Sequence, residues 1–246
     1  MTIEIYADGA DFDGILKAAE NPRITGFTTN PTLMKQAGVT DYEKFAKDII
    51  KELSVRRPGT NISLEVFADD YDGMYEQALK IASWGKKYNY DVFVKIPVMS
   101  TNGLPNFELV RALNEDGVKV NVTAVFTPIQ TQNILEHITN PNADVIISIF
   151  AGRIADTLRD PVNWTKHCVG EAMDKPTEFT KIKFLWASCR EQYHLVMAEQ
   201  AGCHIITMLH DQIKKLELAN KDLTKFSQET VQMFYNDAVK SGYNIG

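Results

Sequence analysis

An alternation constrains this chain more than any other feature. Short apolar runs rich in β-branched residues recur along it, each followed by a longer segment whose apolar residues fall at helical spacing. The runs are Ile3–Ala7, Ile24–Thr28, Ile62–Ala68, Val92–Val98, Val118–Val125, Asp144–Phe150, Lys183–Ala187 and His204–Thr207. The intervening helical patterns include Phe12, Ile15, Leu16 and Ala19, then Tyr42, Phe45, Ile49 and Ile50, then Met74, Ala78, Ile81 and Ala82. Eight strand–helix alternations at a spacing of about 30 residues predict an α/β chain closed into a single (β/α)8 TIM barrel. A doubly wound open sheet uses the same alternation. It would carry a glycine-rich phosphate loop after its first strand, and Asp8-Gly9-Ala10-Asp11 is not one. The eightfold count is complete within residues 1–222, which leaves 223–246 as an additional C-terminal helix. Its residues Leu223, Phe226, Val231, Phe234, Tyr235 and Val239 give it a strong apolar component, predicted to pack on its own barrel or on a neighbouring subunit. A homo-oligomer is expected.

Within the fourth run, Val92-Phe93-Val94-Lys95-Ile96-Pro97-Val98, six of seven residues are apolar and four are β-branched. That composition suits a strand buried on both faces of a parallel sheet, with one lysine in its middle. Pro97 has no N–H for a ladder, so the strand should end there, placing Lys95 near its C-terminal end. A buried lysine must pair with a carboxylate, reach a wet cavity or lose its proton, and the last of these makes it a nucleophilic amine. The bland alternative is a strand lysine whose ammonium meets a helix-borne acid.

With 26 basic against 32 acidic side chains, the net charge of −6 lacks the footprint of a nucleic-acid binder. Glu4, Asp8, Asp11, Asp13 and Glu20 are the opposite of a signal peptide's basic start. No apolar run approaches the ~20 residues that span a bilayer, so a cytosolic protein without a membrane partner is expected. Cys168, Cys189 and Cys203 are odd in number and show no CxxC spacing, and the five histidines form no HxxxH or HExxH pair.

In a barrel of this kind the C-terminal ends of the strands converge on one cleft. Those ends carry Asp8, Thr28 with Asn30, Glu65, Lys95, Asn121 with Thr123, Ser148, and Ser188 with Arg190, and Arg153 follows strand six. Each has a dull explanation. Asp8 and Asn30 could cap helices, Arg153 could be a surface residue, Glu65 could neutralise Lys95, and Ser148 could satisfy a backbone group. Those explanations do not say why nearly every strand delivers a polar residue to the same end. Two carboxylates and a lysine are the parts for carbonyl chemistry by an amine nucleophile. Two arginines suit a phosphate or another oxyanion. Together they point to a Schiff-base aldolase acting on a sugar phosphate.

Four segments carry a resemblance: Phe27-Thr28-Thr29-Asn30-Pro31-Thr32-Leu33, Val94-Lys95-Ile96-Pro97, Ile147-Ser148-Ile149-Phe150-Ala151-Gly152-Arg153-Ile154 and Ala187-Ser188-Cys189-Arg190. They resemble the transaldolase family, which also holds the short fructose-6-phosphate aldolases, and the likeness runs over nearly the whole chain. The resemblance implies that Lys95 forms the Schiff base and that Asp8 takes the proton from the substrate's C4 hydroxyl. It gives Glu65 and Thr123 the water used for proton transfer. Asn30, Asn121 and Ser148 would hold the dihydroxyacetone unit, with Thr28 and Phe150 in the same site. Arg153, Arg190 and Ser188 would bind phosphate. No cofactor and no metal are implied.

Two positions bear on the subgroup. Strand three presents Glu65, as transaldolases do, where fructose-6-phosphate aldolases have glutamine. Strand six presents Phe150 where those aldolases have tyrosine, and a phenylalanine cannot donate a hydrogen bond to the catalytic water. Both favour transfer of a dihydroxyacetone unit, from fructose 6-phosphate or sedoheptulose 7-phosphate to an aldose phosphate in the pentose phosphate pathway. The alternatives are a fructose-6-phosphate aldolase, a transaldolase for another ketose such as sulfofructose, and a non-catalytic sugar-phosphate-binding barrel. Gly9 departs from the family, which usually carries threonine or serine there.

Overall fold

The computed structural model describes residues 3–138, 140–174 and 180–245. Eight strands, β1 (Glu4–Asp8), β2 (Ile24–Thr28), β3 (Asn61–Glu65), β4 (Asp91–Pro97), β5 (Val120–Val125), β6 (Val145–Ile149), β7 (Ile182–Trp186) and β8 (Ile205–Leu209), form a closed barrel in chain order. Each pairs in parallel with the next, and β8 pairs with β1, so the expected (β/α)8 barrel is the fold.

The helices follow the strands as α1 (Phe12–Ala19), α2 (Pro31–Gln36), α3 (Tyr42–Arg56), α4 (Tyr71–Tyr88), α5 (Phe107–Glu115), α6 (Pro128–His137), α7 (Ala151–Ala155), α8 (Pro161–Asp174), α9 (His194–Gln200), α10 (His210–Lys215) and α11 (Leu223–Lys240). Their starts follow local chemistry. Asp11, Asn30, Asp41, Asp70, Thr127 and Asp222 each accept a backbone N–H of the first turn of α1, α2, α3, α4, α6 and α11. Pro31 opens α2, as predicted.

Side chains alternate across the barrel wall. Ile5, Phe27, Ile62, Leu64, Val94, Ile96 and Val122 point outward into the continuous core beneath the helices. Tyr6, Phe93, Ile146, Leu185 and Ile205 fill the lower interior, with Ala187 above them. Gly26 makes room for Tyr6, since a Cβ at 26 would stand 2.6 Å from the ring. The hydroxyl of Tyr6 accepts the Asn61 amide at 2.8 Å. Apolar side chains therefore plug the interior between Asn61, at the N-terminal end of β3, and the polar residues at the C-terminal ends of the strands.

Some boundaries differ from the sequence reading for visible reasons. The strand expected over 62–68 ends at Glu65, because Gln77 Oε1 accepts the N–H groups of Phe67 (2.7 Å) and Ala68 (2.9 Å). The strand expected from Val118 begins at Val120, because the Val118 N–H closes onto Leu113 O at the end of α5. The helix expected over 154–158 is α7, starting at Ala151, and Leu158 lies beyond it at φ 62°. The helix expected over 190–201 starts only at His194. α11 buries none of its residues, and its apolar side chains are exposed. Among the described residues no helix is long and apolar enough to cross a membrane.

Candidate functional site

At the C-terminal end of the barrel lies a cleft of about 430 Å³. All twelve site residues expected from the sequence line it: Lys95, Asp8, Glu65, Thr123, Asn30, Thr28, Asn121, Ser148, Phe150, Arg153, Ser188 and Arg190. The convergence follows from parity. Inward positions two residues above the apolar plug become polar: Asp8 above Tyr6, Lys95 above Phe93, Ser148 above Ile146 and Thr207 above Ile205.

Lys95 is 7% exposed, and β4 ends at Pro97 as expected. Its Nζ donates to Glu65 Oε2 at 2.9 Å and to the Thr29 carbonyl at 2.8 Å. Glu65 is its register partner on β3. The carboxylate that the bland alternative sought on a helix therefore comes from the neighbouring strand β3, inside the barrel.

Asp8 does not cap α1, because Asp11 does so through the Gly14 N–H at 2.7 Å. Asp8 instead receives the Thr28 hydroxyl at 2.7 Å, and Thr28 lies 2.6 Å from the Thr207 hydroxyl. Each hydroxyl has one proton, so a chain runs from Thr207 to Thr28 to Asp8. Burial raises the pKa of Asp8, against the hydrogen bond from Thr28 and the nearby charge of Lys95, both of which lower it.

Beside Lys95, Ser148 donates to Asn121 Oδ1 at 2.7 Å and Asn121 donates to Ser63 Oγ at 3.0 Å. All three are buried, so this string locks the Asn121 amide across the interior. Asn30 caps α2 through its Oδ1 (3.0 Å from Leu33 N) while lining the cleft. Thr123 lines the cleft, and β5 is irregular just beyond it, with Ala124 at φ 60°. Ser188 at φ 63° is the second cleft residue in the left-handed region. Such backbone costs of order 1–2 kcal/mol each and is often stored at working sites.

At the ends of β6 and β7, the Arg153 guanidinium lies over the Phe150 ring at 5.8 Å. Arg190 forms a forked pair with Asp156, its Nε 3.1 Å from Oδ1 and its Nη2 on Oδ2. That pairing holds the Asp156 carboxyl below the usual carboxylate range. Arg153 and Arg190 are exposed and open toward the cleft mouth.

The sequence reading missed Thr207, Ser63, Asp156 and the Thr29 carbonyl. Thr207 and Ser63 were legible as polar residues at inward parity, but Asp156 and the carbonyl leave no strand-end signal. Gly9, read as a departure, has its missing side chain replaced in space: a Cβ there would stand 3.0 Å from the His210 Nε2.

Fold and cleft together define a barrel enzyme of the aldolase type. The chain belongs to the Transaldolase/Fructose-6-phosphate aldolase family, whose sequence model matches residues 5–245. It is similar to a probable transaldolase of Anaeromyxobacter sp. (strain K), 30% identical over 91% of this chain and 94% of the relative. A probable transaldolase of Dehalococcoides mccartyi is 30% identical over 84% of this chain and 86% of its own. One from Nitrosopumilus maritimus is 29% identical over 92% and 97%. Among solved structures it resembles dihydrodipicolinate synthase from Rhodopseudomonas palustris, at TM-score 0.54 and 14% identity over 96% of this chain and 79% of that one. It also resembles thiamine phosphate pyrophosphorylase from Pyrococcus furiosus, at TM-score 0.53 and 10% identity over 85% and 86%. At those identities the likeness is one of fold alone.

Proposed function

We propose that the chain is a transaldolase, moving a dihydroxyacetone unit from fructose 6-phosphate or sedoheptulose 7-phosphate to an aldose phosphate through a Schiff base on Lys95. The observation that carries this reading is the pairing of Lys95 Nζ with Glu65 at 2.9 Å inside the cleft that Asp8 also lines. The ammonium gives a proton to its partner carboxylate, and the free amine adds to the C2 ketone. Water leaves and an iminium forms. Asp8, with a raised pKa suited to a general base, takes the C4 hydroxyl proton. The C3–C4 bond breaks, its electron pair moves into the iminium as an enamine, and the aldose phosphate departs. The enamine then attacks the acceptor aldehyde, Asp8 returns its proton to the new alkoxide, and water hydrolyses the product imine. Glu65 and Thr123 hold the water for these proton transfers. Asn30, Asn121 and Ser148 bind the dihydroxyacetone hydroxyls, Thr28 steadies Asp8, and Ser188, Arg153 and Arg190 take the phosphate.

The test is borohydride reduction in the presence of fructose 6-phosphate, followed by peptide mass analysis. A covalent three-carbon or hexose adduct on Lys95 is expected. No adduct, or one on another lysine, sinks the mechanism and favours a barrel that only binds sugar phosphates. Turnover that proceeds without an added acceptor aldehyde would make it a fructose-6-phosphate aldolase instead. The Asp156–Arg190 pair favours a second donor reading. It offsets the charge of one of the two arginines, which suits a monoanionic sulfonate such as that of sulfofructose, and the same trapping with that ketose decides it. The exposed apolar side of α11 supports assembly of the enzyme as a homo-oligomer, and a cytoplasmic place in the pentose phosphate pathway follows from the proposed substrates.

A further inference from the structure

His210 opens α10 directly above the β1–α1 turn, outside the lining of the cleft. Its ring sits against two glycines. A Cβ at Gly9 would lie 3.0 Å from Nε2, and one at Gly14 would lie 3.0 Å from Nδ1 and Cε1. Those separations are tighter than ordinary side-chain contacts, so glycine at 9 and 14 leaves the slot that the imidazole fills. Nε2 is buried and has no hydrogen-bond partner among the described residues. A buried polar atom left unpaired costs about 1–3 kcal/mol, and a simple packing role at this position would be filled more cheaply by leucine. The charged groups facing the ring are Asp8 at the end of β1, Asp11 at the cap of α1 and Asp211 on α10 itself, with Asp8 the strongest. Asp11 is already engaged by the Gly14 N–H.

We propose that His210 is a positioning residue for Asp8: seated in the Gly9–Gly14 slot, it holds the turn that carries the carboxylate and ties that carboxylate's ionisation to its own. The coupling is reciprocal. Imidazolium favours ionised Asp8, and ionised Asp8 favours imidazolium, so the two protons leave as a pair's titration rather than as two independent steps. Burial opposes the charged imidazole and lowers its pKa, while burial raises that of Asp8, which draws the two titrations toward each other. The role rests on the reading of Asp8 as the acid/base group.

Two measurements test it. NMR titration of the histidine side chains in the parent and in Asp8→Asn should show the His210 midpoint falling by about one pH unit when the carboxylate is removed. In His210→Gln, the acidic limb of the kcat/KM profile should move to higher pH by a similar amount, because Asp8 loses the imidazolium that helped it ionise. An unchanged His210 midpoint, or a His210→Gln profile that only scales down without moving, overturns the proposal. The NMR comparison keeps His210 and so decides even if His210→Gln does not fold. Turnover retained by Asp8→Asn would instead sink the acid/base reading of Asp8, and would leave the NMR coupling standing.

Discussion

Glu65 and Lys95 are register partners on adjacent parallel strands, and their side chains meet at 2.9 Å with little exposure on either. Such a pair is weak evidence for stability but expensive to half-remove, since one partner alone leaves an uncompensated charge. Lys95→Met should abolish turnover and borohydride trapping and cost about 3–5 kcal/mol of stability. Adding Glu65→Leu to it should restore most of the stability and none of the activity. Denaturation midpoints beside trapping assays check both. A double variant no more stable than Lys95→Met would show that the pair does not behave as a buried ion pair.

Phe150 packs on the interior plug and carries Arg153 on its face. Phe150→Tyr keeps the ring and that contact but adds a hydroxyl donor at the cleft. With a donor available to orient water, the enamine should be protonated sooner, and dihydroxyacetone release without an acceptor should rise by about tenfold or more. Release unchanged from the parent would remove Phe150 as the reason for preferring transfer.

Much of the barrel was legible because period and burial coincide in it. Val94, Ile96, Val122 and Ile147 are β-branched, fully buried and at outward parity, and an apolar–polar pattern reports that directly. The strand-end residues were legible for the same reason, since Asp8, Lys95 and Ser148 break an apolar pattern where the barrel opens. What failed was whatever depends on contacts distant in sequence. Asp156 pairs with Arg190 across 34 residues, and Gln77 ends β3 from inside α4. Gly9 was visible only as a missing hydroxyl until His210 appeared against it.

Gly152 stands where α7 meets the end of β7, and its N–H donates to Ala187 O at 3.2 Å. A Cβ there would stand 1.6 Å from the Ser188 carbonyl oxygen, which is backbone and cannot rotate away. Gly152→Ala should therefore destabilise by about 1–3 kcal/mol or more and raise the KM for phosphorylated donors, because Arg153 rides on the same turn. Denaturant titration and donor saturation curves check it. A variant as stable as the parent would mean that the α7–β7 junction yields more readily than this contact implies.

Burial raises the pKa of Asp8, so the native state keeps that proton to a higher pH than the unfolded chain does. The sign follows. Ionising Asp8 costs stability, and the loss develops as pH rises from the unfolded carboxylate value of about 3.9 through the folded one. Asn at this position carries no such cost and can still accept from Thr28. Asp8→Asn should melt above the parent at neutral pH, with the difference closing as the pH is lowered, and should lose turnover. A melting difference that is constant across pH would separate the change from ionisation.

Asp156 feels the charge of both arginines, and its forked pair with Arg190 both aims the guanidinium and cancels part of its charge. Asp156→Asn removes the charge and keeps an acceptor for Arg190. Any loss of aim weakens phosphate and sulfonate donors alike, so the ratio of their kcat/KM values isolates electrostatics. A site with one more uncompensated positive charge gains more with a dianion than with a monoanion. An exposed, solvent-screened pair of this kind has a small effect, so the phosphate-to-sulfonate ratio should rise by only about twofold to fivefold. The rise should shrink at high salt, because both partners are exposed and screened. A ratio unmoved by the substitution would mean that Asp156 only positions Arg190, and that anion charge is selected elsewhere on the rim.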